Sequence, residues 1–270
     1  MPSKIGLVVA LASEAKTLVG PGPLQPMDGY GIRTITVNPT LDLIVGSAGV
    51  GGDAARKAAQ GVIDHGASAL LSAGLSGGLD PGISPGDIIL PSRLLLTDGR
   101  RIFGAWEPDP AVVEGAYYCF ATEGMPVRRG TVLTVDDGVL TPDAKAALFA
   151  QFRGLAVDME SAAVARVAFE AGLPFFGLRV VCDPAERNVP KELYGFVDTK
   201  GNIRPGTIAK SLIRRPALVF DMWAMGRLFS FARNALRKAW EVAINAKLLE
   251  QIDASTACSI TVSMDVGPNP

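Results

Sequence analysis

Acidic residues beside apolar strands are the first candidates for chemistry in this chain. In the segment 156–165, Asp158 and Glu160 stand where an apolar strand runs into a helix. Burying a carboxylate costs free energy unless another group pairs with it, so the two acids suggest a functional site. The alternative is structural, because Asp158 could cap the following helix and Glu160 could complement its dipole. The segment by itself leaves both interpretations open.

Two further acids follow apolar runs of the same kind. Glu14 comes after the run at 5–11, in an expected turn, and Asp183 ends the run at 178–182. Ligand sites of α/β proteins form outside the carboxyl ends of the strands. Carboxylates in different environments can divide acid and base roles between them. For Asp183, which precedes Pro184, a simple turn cap is the alternative.

Apolar runs bounded by turn residues predict the strands that must position these acids. The runs are 5–11, 41–45, 69–71, 87–90, 130–135, 155–157 and 175–181, and the helical segments between them include 53–65, 142–152 and 161–171. Apolar strands that alternate with helices favour a mainly parallel sheet covered on both faces. We therefore expect an α/β fold, with one three-layer αβα domain around a mixed, largely parallel, twisted sheet.

The C-terminal part of the chain has a different character. Residues 217–249 contain one glycine and no proline, and they mix aromatic residues and methionine with arginine and lysine. This pattern predicts an amphipathic helix with a basic polar face. The helix could pack on the sheet, or it could touch a membrane or a lipid substrate. We expect a catalytic domain at 1–215, a helical extension at 216–250 and a loosely ordered tail at 251–270.

Composition excludes several classes of function. The net charge of -1 gives no overall signal for nucleic acid, and His65 is the single histidine, which argues against histidine-rich metal sites. Three widely spaced cysteines favour a reducing cytoplasm over a disulfide framework. No apolar run approaches the roughly 18 residues of a transmembrane helix. We expect a cytoplasmic protein without a metal, a cofactor or a nucleic acid partner.

Taken in order, these segments resemble the nucleoside phosphorylase and nucleosidase family, especially its methylthioadenosine/S-adenosylhomocysteine nucleosidase branch. The resemblance is carried by the sequence Val-Asp-Met-Glu-Ser-Ala-Ala at 157–163, together with the N-terminal strand, glycine turns at 46–51 and 72–79, and the strand at 178–183. It covers about residues 3–215. It implies cleavage of a purine N-glycosidic bond with release of adenine, by a homo-oligomer.

The resemblance also assigns roles to residues. It implies that Asp183 protonates the purine at N7, that Glu160 binds the ribose hydroxyls and that Glu14 activates water. The substrate-binding residues that it implies are Met159 on the sugar face, Arg179 near the catalytic acids, and Gly138 and Val139 at the adenine edge. Ser76 and Gly74 at the second glycine turn are further candidates for substrate binding, because hydroxyl and backbone N–H groups there could hold an anion. The alternative for Arg179 is that it only neutralises Asp158 or Glu160.

Water and phosphate are rival nucleophiles in this family. Phosphorolytic members bind phosphate with arginines and a serine, whereas Ser72 and Leu75 stand at the corresponding positions here and residues 5–31 contain no arginine. A dianion without a cationic partner binds weakly. The sequence therefore favours hydrolysis, with phosphate as a co-substrate only if the protein is a phosphorylase.

The long basic and aromatic C-terminus after residues 213–216 resembles the hopanoid-associated phosphorylase subgroup. That resemblance implies release of adenine from adenosylhopane, giving ribosylhopane or its phosphorylated form in hopanoid biosynthesis. It also implies a lipid-linked adenosyl substrate, and the basic amphipathic helix suggests peripheral contact with the inner face of the membrane. The alternatives are a methylthioadenosine/S-adenosylhomocysteine nucleosidase, a purine nucleoside phosphorylase, or a nucleoside-binding protein without turnover. Glu14, Glu160 and Asp183 together argue against the last of these.

Overall fold

The computed structural model describes residues 2–194 and 204–262, which contain eleven strands and nine helices. The strands are β1 (Ser3–Val9), β2 (Gln25–Met27), β3 (Tyr30–Asn38), β4 (Leu41–Ser47), β5 (Ala69–Gly78), β6 (Ile88–Thr97), β7 (Ile102–Glu107), β8 (Val127–Thr134), β9 (Ala156–Asp158), β10 (Phe175–Asp183) and β11 (Ser259–Val262). The helices are α1 (Ala12–Val19), α2 (Gly52–Asp64), α3 (Pro110–Thr122), α4 (Pro142–Phe152), α5 (Ser161–Glu170), α6 (Lys191–Tyr194), α7 (Pro205–Arg214), α8 (Leu218–Asn245) and α9 (Leu248–Asp253).

All described strands belong to one mixed sheet, as expected. Its order is β11-β7-β6-β8-β9-β5-β1-β4-β3-β2, and β10 pairs with both β5 and β6. The double pairing of β10 closes β5, β10, β6, β8 and β9 into a ring. Parallel pairing joins β1 to β4 and β5, β10 to β5, and β8 to β6 and β9. The apolar runs do not predict β2, β3, β7 or β11, because these strands are short or only partly buried and add antiparallel pairs at the sheet edges.

Helices cover the sheet on both sides, which confirms the three-layer arrangement. One core lies between the sheet and helices α1, α3, α8 and α9, and it includes Leu71, Leu178 and Trp240. The other lies between the sheet and helices α2 and α5, and it includes Val62 and Val164. The strands that carry the acidic residues are therefore held from both faces.

The glycines of segment 72–79 predict a turn, and the structure corrects this expectation. Strand β5 continues through them, with Gly77 and Gly78 paired to β9. A Cβ atom at Gly74 would lie 2.6 Å from Arg179 Nη1 and 2.8 Å from Glu14 Oε1. One at Gly77 would lie 3.3 Å from Asp183 Oδ2. These glycines are therefore required by the charged side chains that pack over the strand, and a turn does not require them.

The C-terminal segment is more closely joined to the domain than the sequence suggests. The second half of α8 buries Leu236 and Trp240 in the first core. Strand β11 pairs with β7, so the expected loose tail is wrong for Ser259–Val262, where the edge of the sheet supplies backbone hydrogen bonds. Residues 263–270 of that tail lie outside the described residues. No helix in the described part of the chain is long and apolar enough to cross a membrane.

Candidate active site

A cavity of 680 Å³ opens at the carboxyl ends of β1, β5 and β10. Because these strands run parallel, their ends meet at one edge of the sheet, where α/β proteins place their ligands. The segments 135–140 and 157–160 form further parts of the wall. Helix α8 covers one side with Met225, Gly226 and Phe229. The acids at the strand ends therefore share one enclosure.

Glu14 lines this cavity. It lies at the start of helix α1, at a position where the sequence predicted a turn of the chain instead of a helix. Its Oε2 accepts hydrogen bonds from the backbone N–H groups of Ala10 and Leu11, both at 3.1 Å, which caps the start of the helix. Its Oε1 accepts another from the N–H of Leu75 at 3.1 Å. Burial raises the pKa of Glu14, against the opposing effect of the Arg179 charge and these N–H donors. The result is a fixed, buried carboxyl group that binds a proton more readily than usual.

Glu160 lies at the N-terminus of α5 and also faces the cavity. Its Oε1 accepts a hydrogen bond from the N–H of Gly51 at 2.9 Å, and its Oε2 accepts one from the N–H of Met159 at 3.3 Å. Burial, and then the negative charge of Asp158, raise the pKa of Glu160 to about 7. A group whose only role was to complement a helix dipole would not need this desolvated position, so a role in the cavity is favoured.

Asp158 and Arg179 form a buried ion pair, with Asp158 in the cavity wall and Arg179 behind it. Arg179 Nε donates to Asp158 Oδ2 at 2.7 Å, and its guanidinium also donates to the hydroxyls of Ser161 and Ser72. Asp158 Oδ1 accepts from the Thr134 hydroxyl at 2.7 Å and from the Ser161 N–H at 3.2 Å. Arg179 is 2% exposed and does not line the cavity. The structure therefore corrects the expected substrate contact and gives Arg179 the neutralising role.

Asp183 ends β10 and lines the cavity, with its side chain 17% exposed. Lys145 of α4 donates to its Oδ2 at 2.5 Å and to the carbonyl of Pro184 at 2.8 Å. Sequence reasoning missed this lysine. A signal existed, because Lys145 falls on the same helical stripe as Leu148 and Phe149, which pack into an apolar cluster. A charged residue on an apolar stripe indicates a buried partner.

The remaining predicted residues divide into two groups. Met159, Ser76, Gly138 and Val139 line the cavity. Gly74 does not, because it lies beneath Glu14 and Arg179, so its expected contact with substrate is corrected to a packing requirement. The buried hydroxyl of Ser76 has no hydrogen-bond partner among the described residues. A buried hydroxyl in a cavity wall is a natural contact for a polar ligand.

The charge of the cavity wall has a single sign. Within the described residues that line it, the charged side chains are Glu14, Asp158, Glu160 and Asp183, and no lysine, arginine or histidine accompanies them. The described part of the chain also contains no group of three or more histidine, cysteine, aspartate or glutamate side chains that could hold a metal ion. The arrangement suits proton transfer and stabilisation of positive charge.

Comparison with known protein families identifies the family of this chain. The sequence matches the phosphorylase superfamily over residues 4–214. The chain belongs to the phosphorylase superfamily. The matched range contains Glu14, Glu160 and Asp183, whereas the α8 residues of the cavity wall lie beyond it. No similar sequence was found among curated proteins.

Several solved enzyme structures share the fold of this chain. The 5′-methylthioadenosine/S-adenosylhomocysteine nucleosidase from Helicobacter pylori aligns with a TM-score of 0.70 and 17% identity, covering 93% of this chain and 99% of that one. Futalosine hydrolase from Helicobacter pylori gives 0.68 and 16%, covering 92% and 98%. S-adenosylhomocysteine nucleosidase from Streptococcus pyogenes gives 0.69 and 21%, covering 93% and 98%. Because the aligned part is 92–93% of this chain, the likeness extends beyond residue 214, where the sequence match ends.

Proposed function

We propose that this superfamily member is a purine N-glycosidase that releases adenine from an adenosyl compound, with water as the attacking nucleophile. The observation that carries the proposal is the meeting of Glu14, Glu160 and Asp183 in one cavity whose described lining has no basic side chain. The activities named for the structural neighbours, methylthioadenosine/S-adenosylhomocysteine nucleosidase and futalosine hydrolase, support the same class of reaction.

In the proposed reaction each carboxyl group has a separate task. Asp183 delivers a proton to N7 as the C1′–N9 bond breaks, so adenine leaves as a neutral base. Water attacks C1′, and Glu14 accepts the proton that the water loses. A carboxyl group whose pKa is raised by burial is suited to accept a proton near neutral pH.

Glu160 is proposed to bind the ribose hydroxyls and to stabilise the positive charge that develops on the sugar. A buried carboxylate acts strongly on such a charge, because little water screens it. Met159 packs on the sugar face in this proposal, and the unpartnered hydroxyl of Ser76 donates to the substrate. Gly138 and Val139 contact the base through the loop after β8.

The acidic lining favours water over phosphate. A phosphate dianion in this cavity would face Glu14, Glu160 and Asp183. The basic side chains behind the wall, Arg179 and Lys145, are already paired with Asp158 and Asp183. Neutral water carries no such penalty. Purine nucleoside phosphorylase activity is the alternative for the same fold. The two are separated by the sugar product, which is a free ribose derivative after hydrolysis and a ribose 1-phosphate derivative after phosphorolysis.

We extend the proposal to adenosylhopane as the substrate, with ribosylhopane as the product, in hopanoid biosynthesis. A large 5′ hydrocarbon needs an open apolar side, and Met225 and Phe229 of α8 offer one at the cavity. A small-substrate methylthioadenosine/S-adenosylhomocysteine nucleosidase is the alternative. The test incubates the purified chain with 5′-methylthioadenosine and with an adenosine that carries a long apolar 5′ group, and measures adenine with and without phosphate. Binding without adenine release from either would leave a nucleoside-binding protein.

Peripheral membrane contact is part of this proposal. Residues 204–233 hold six basic residues and one acidic residue, although the whole chain has a net charge of -1. On the same segment, Ile213, Phe220 and Trp223 are 82%, 74% and 64% exposed. Exposed aromatic residues among basic ones suit an anionic lipid surface. Two copies of such a positive surface would repel each other, so we place the contact of the expected homo-oligomer elsewhere.

Vesicle binding tests the membrane contact. The chain should co-sediment with vesicles that contain phosphatidylglycerol, and less with vesicles of phosphatidylcholine alone. The double substitution Phe220→Ala and Trp223→Ala should weaken this binding. Tyr118→Ala is the matched control, because Tyr118 is a 60% exposed aromatic residue on α3. Equal binding by the wild type and the double variant would contradict a contact through Phe220 and Trp223. No preference for vesicles with phosphatidylglycerol would contradict the membrane contact itself.

A further inference from the structure

Lys145 is a fully buried ammonium group that the reaction proposed above does not use. Its side chain is 0% exposed, and it lies on α4 outside the residues that line the cavity. Taking an ammonium group out of water is costly in free energy unless its partners are well placed. An apolar residue would fill the same space at lower cost, so packing alone does not explain a lysine at this position.

The partners of Lys145 are the end of strand β10 and the residue that follows it. Nζ donates to Asp183 Oδ2 at 2.5 Å and to the carbonyl oxygen of Pro184 at 2.8 Å. Gly77 lies against the carboxyl group from β5, since a Cβ there would come within 3.3 Å of Oδ2 and 3.6 Å of Oδ1. The carboxyl group is therefore held between a glycine and the lysine, with one oxygen fixed by a charged hydrogen bond.

The start of α4 holds Lys145 in place. The Thr141 side chain accepts a hydrogen bond from the N–H of Ala144 at 3.3 Å, and Pro142 occupies the first turn. One turn further along, Leu148 packs into the apolar cluster beneath the helix. The ammonium group thus sits on a rigid element, which is what accurate placement of a reacting group requires.

We propose that Lys145 is a positioning residue that holds Oδ2 of the protonated Asp183, so that the proton carried on Oδ1 is directed to N7 of the leaving purine. The inference rests on the proposed function and goes beyond it, because Lys145 acts through Asp183 without touching substrate. A small misplacement of a reacting group can cost about 10²-fold in rate. Loss of Lys145 should therefore appear in kcat, and KM should change much less.

A double-mutant cycle tests this role. We expect Lys145→Met to lower kcat for adenine release by about 10²-fold. In the Asp183→Asn background the same substitution should have almost no further effect on kcat, because the group that it positions is already lost. Lys145→Gln, which keeps a hydrogen-bond donor near Asp183, should recover part of the rate. Multiplicative losses in the cycle would overturn the inference.

Stability needs a matched control, since removing Lys145 leaves a partly buried carboxyl group without its partner. Leu148→Ala, on the same helix and outside the cavity wall, should lower the temperature of unfolding but lower kcat of the folded protein much less than Lys145→Met does. If Leu148→Ala and Lys145→Met lower kcat equally, α4 has only a structural role. A wild-type chain that releases no adenine would overturn the proposed function together with this inference. An active wild type with an equally active Lys145→Met variant would overturn this inference alone.

Discussion

Replacing Glu160 with glutamine should separate its chemical role from its effect on stability. Burial raises the pKa of Glu160 from 4.5 to about 7, so the folded protein binds a proton here that the unfolded chain has lost. The stability that this proton contributes is complete below pH 4.5 and disappears as the pH rises through about 7. At about 1.4 kcal/mol for each pKa unit, the ionised carboxylate costs the wild type about 3 kcal/mol in alkaline solution.

Glutamine has no charge to desolvate, and its oxygen can still accept the hydrogen bond from the N–H of Gly51. The second hydrogen bond, from the N–H of Met159 to Oε2, is lost because an amide NH2 group cannot accept it, at a cost of about 1 kcal/mol that does not depend on pH. The variant should therefore unfold with a free energy about 2 kcal/mol above that of the wild type near pH 8.5. Near pH 5 most of this advantage should be gone.

Denaturant unfolding of both proteins at the two pH values measures the difference directly. Asp158→Asn is the matched control, because it removes the acid that pairs with Arg179 and should destabilise the protein at both pH values. If Glu160→Gln shifts the free energy of unfolding equally at both pH values, the argument from burial is refuted.

Activity should move in the opposite direction to stability. Glutamine cannot stabilise a positive ribosyl group, so we expect adenine release to fall by about 10²-fold or more. In the wild type, kcat/KM should rise with pH as Glu160 ionises near pH 7. A variant that is more stable at high pH and almost inactive would show that the buried carboxylate of Glu160 lowers the stability of the fold and is required for catalysis. A fully active Glu160→Gln protein would exclude the carboxylate from the mechanism.

Three further outcomes are expected. Asp183→Asn should lower adenine release by about 10²–10⁴-fold while nucleoside binding persists, because an amide cannot supply the proton. Single-turnover kinetics and equilibrium binding measure the two effects. Near-normal turnover would exclude Asp183 as the acid. Adenine release should proceed without phosphate and leave a free ribose derivative; ribose 1-phosphate in the product mixture would reverse the choice of nucleophile and require another role for Glu14. Phe229→Ala should lower kcat/KM for a long 5′-alkyl adenosine far more than for 5′-methylthioadenosine, because burial of apolar surface is worth about 25 cal/mol per Å². An equal loss of kcat/KM on both substrates would mean that α8 has only a structural role.

Several features of the fold were predictable from the sequence because they are recorded locally. Apolar runs alternating with helical segments predict the layered α/β architecture, and the helix at Pro142–Phe152 is found with the predicted bounds. The acids at strand ends predict one shared site, since parallel strands present their carboxyl ends at the same edge. Glu14, Glu160 and Asp183 do meet there, and the roles assigned to them stay predictions.

Other features were decided only by tertiary contacts. The sequence does not show that β10 joins β5 to β6 or that β5 runs straight through its glycines. It offers packing on the sheet and contact with substrate as alternatives for α8, whereas in the folded chain α8 contributes to both the core and the cavity wall. These features depend on which strand or helix packs against each element. A local sequence pattern contains no information about that neighbour.

The charged residues show the same division most clearly. Sequence identifies Arg179 as a charge near the acids, but only the folded chain places it behind the wall, where it neutralises Asp158. Lys145 lies 38 residues from Asp183 along the chain, and its apolar helical stripe indicates burial without naming a partner. A segment can reveal that its own residues are buried, because burial sets their periodicity. The partner that makes a buried charge tolerable is chosen by the three-dimensional fold.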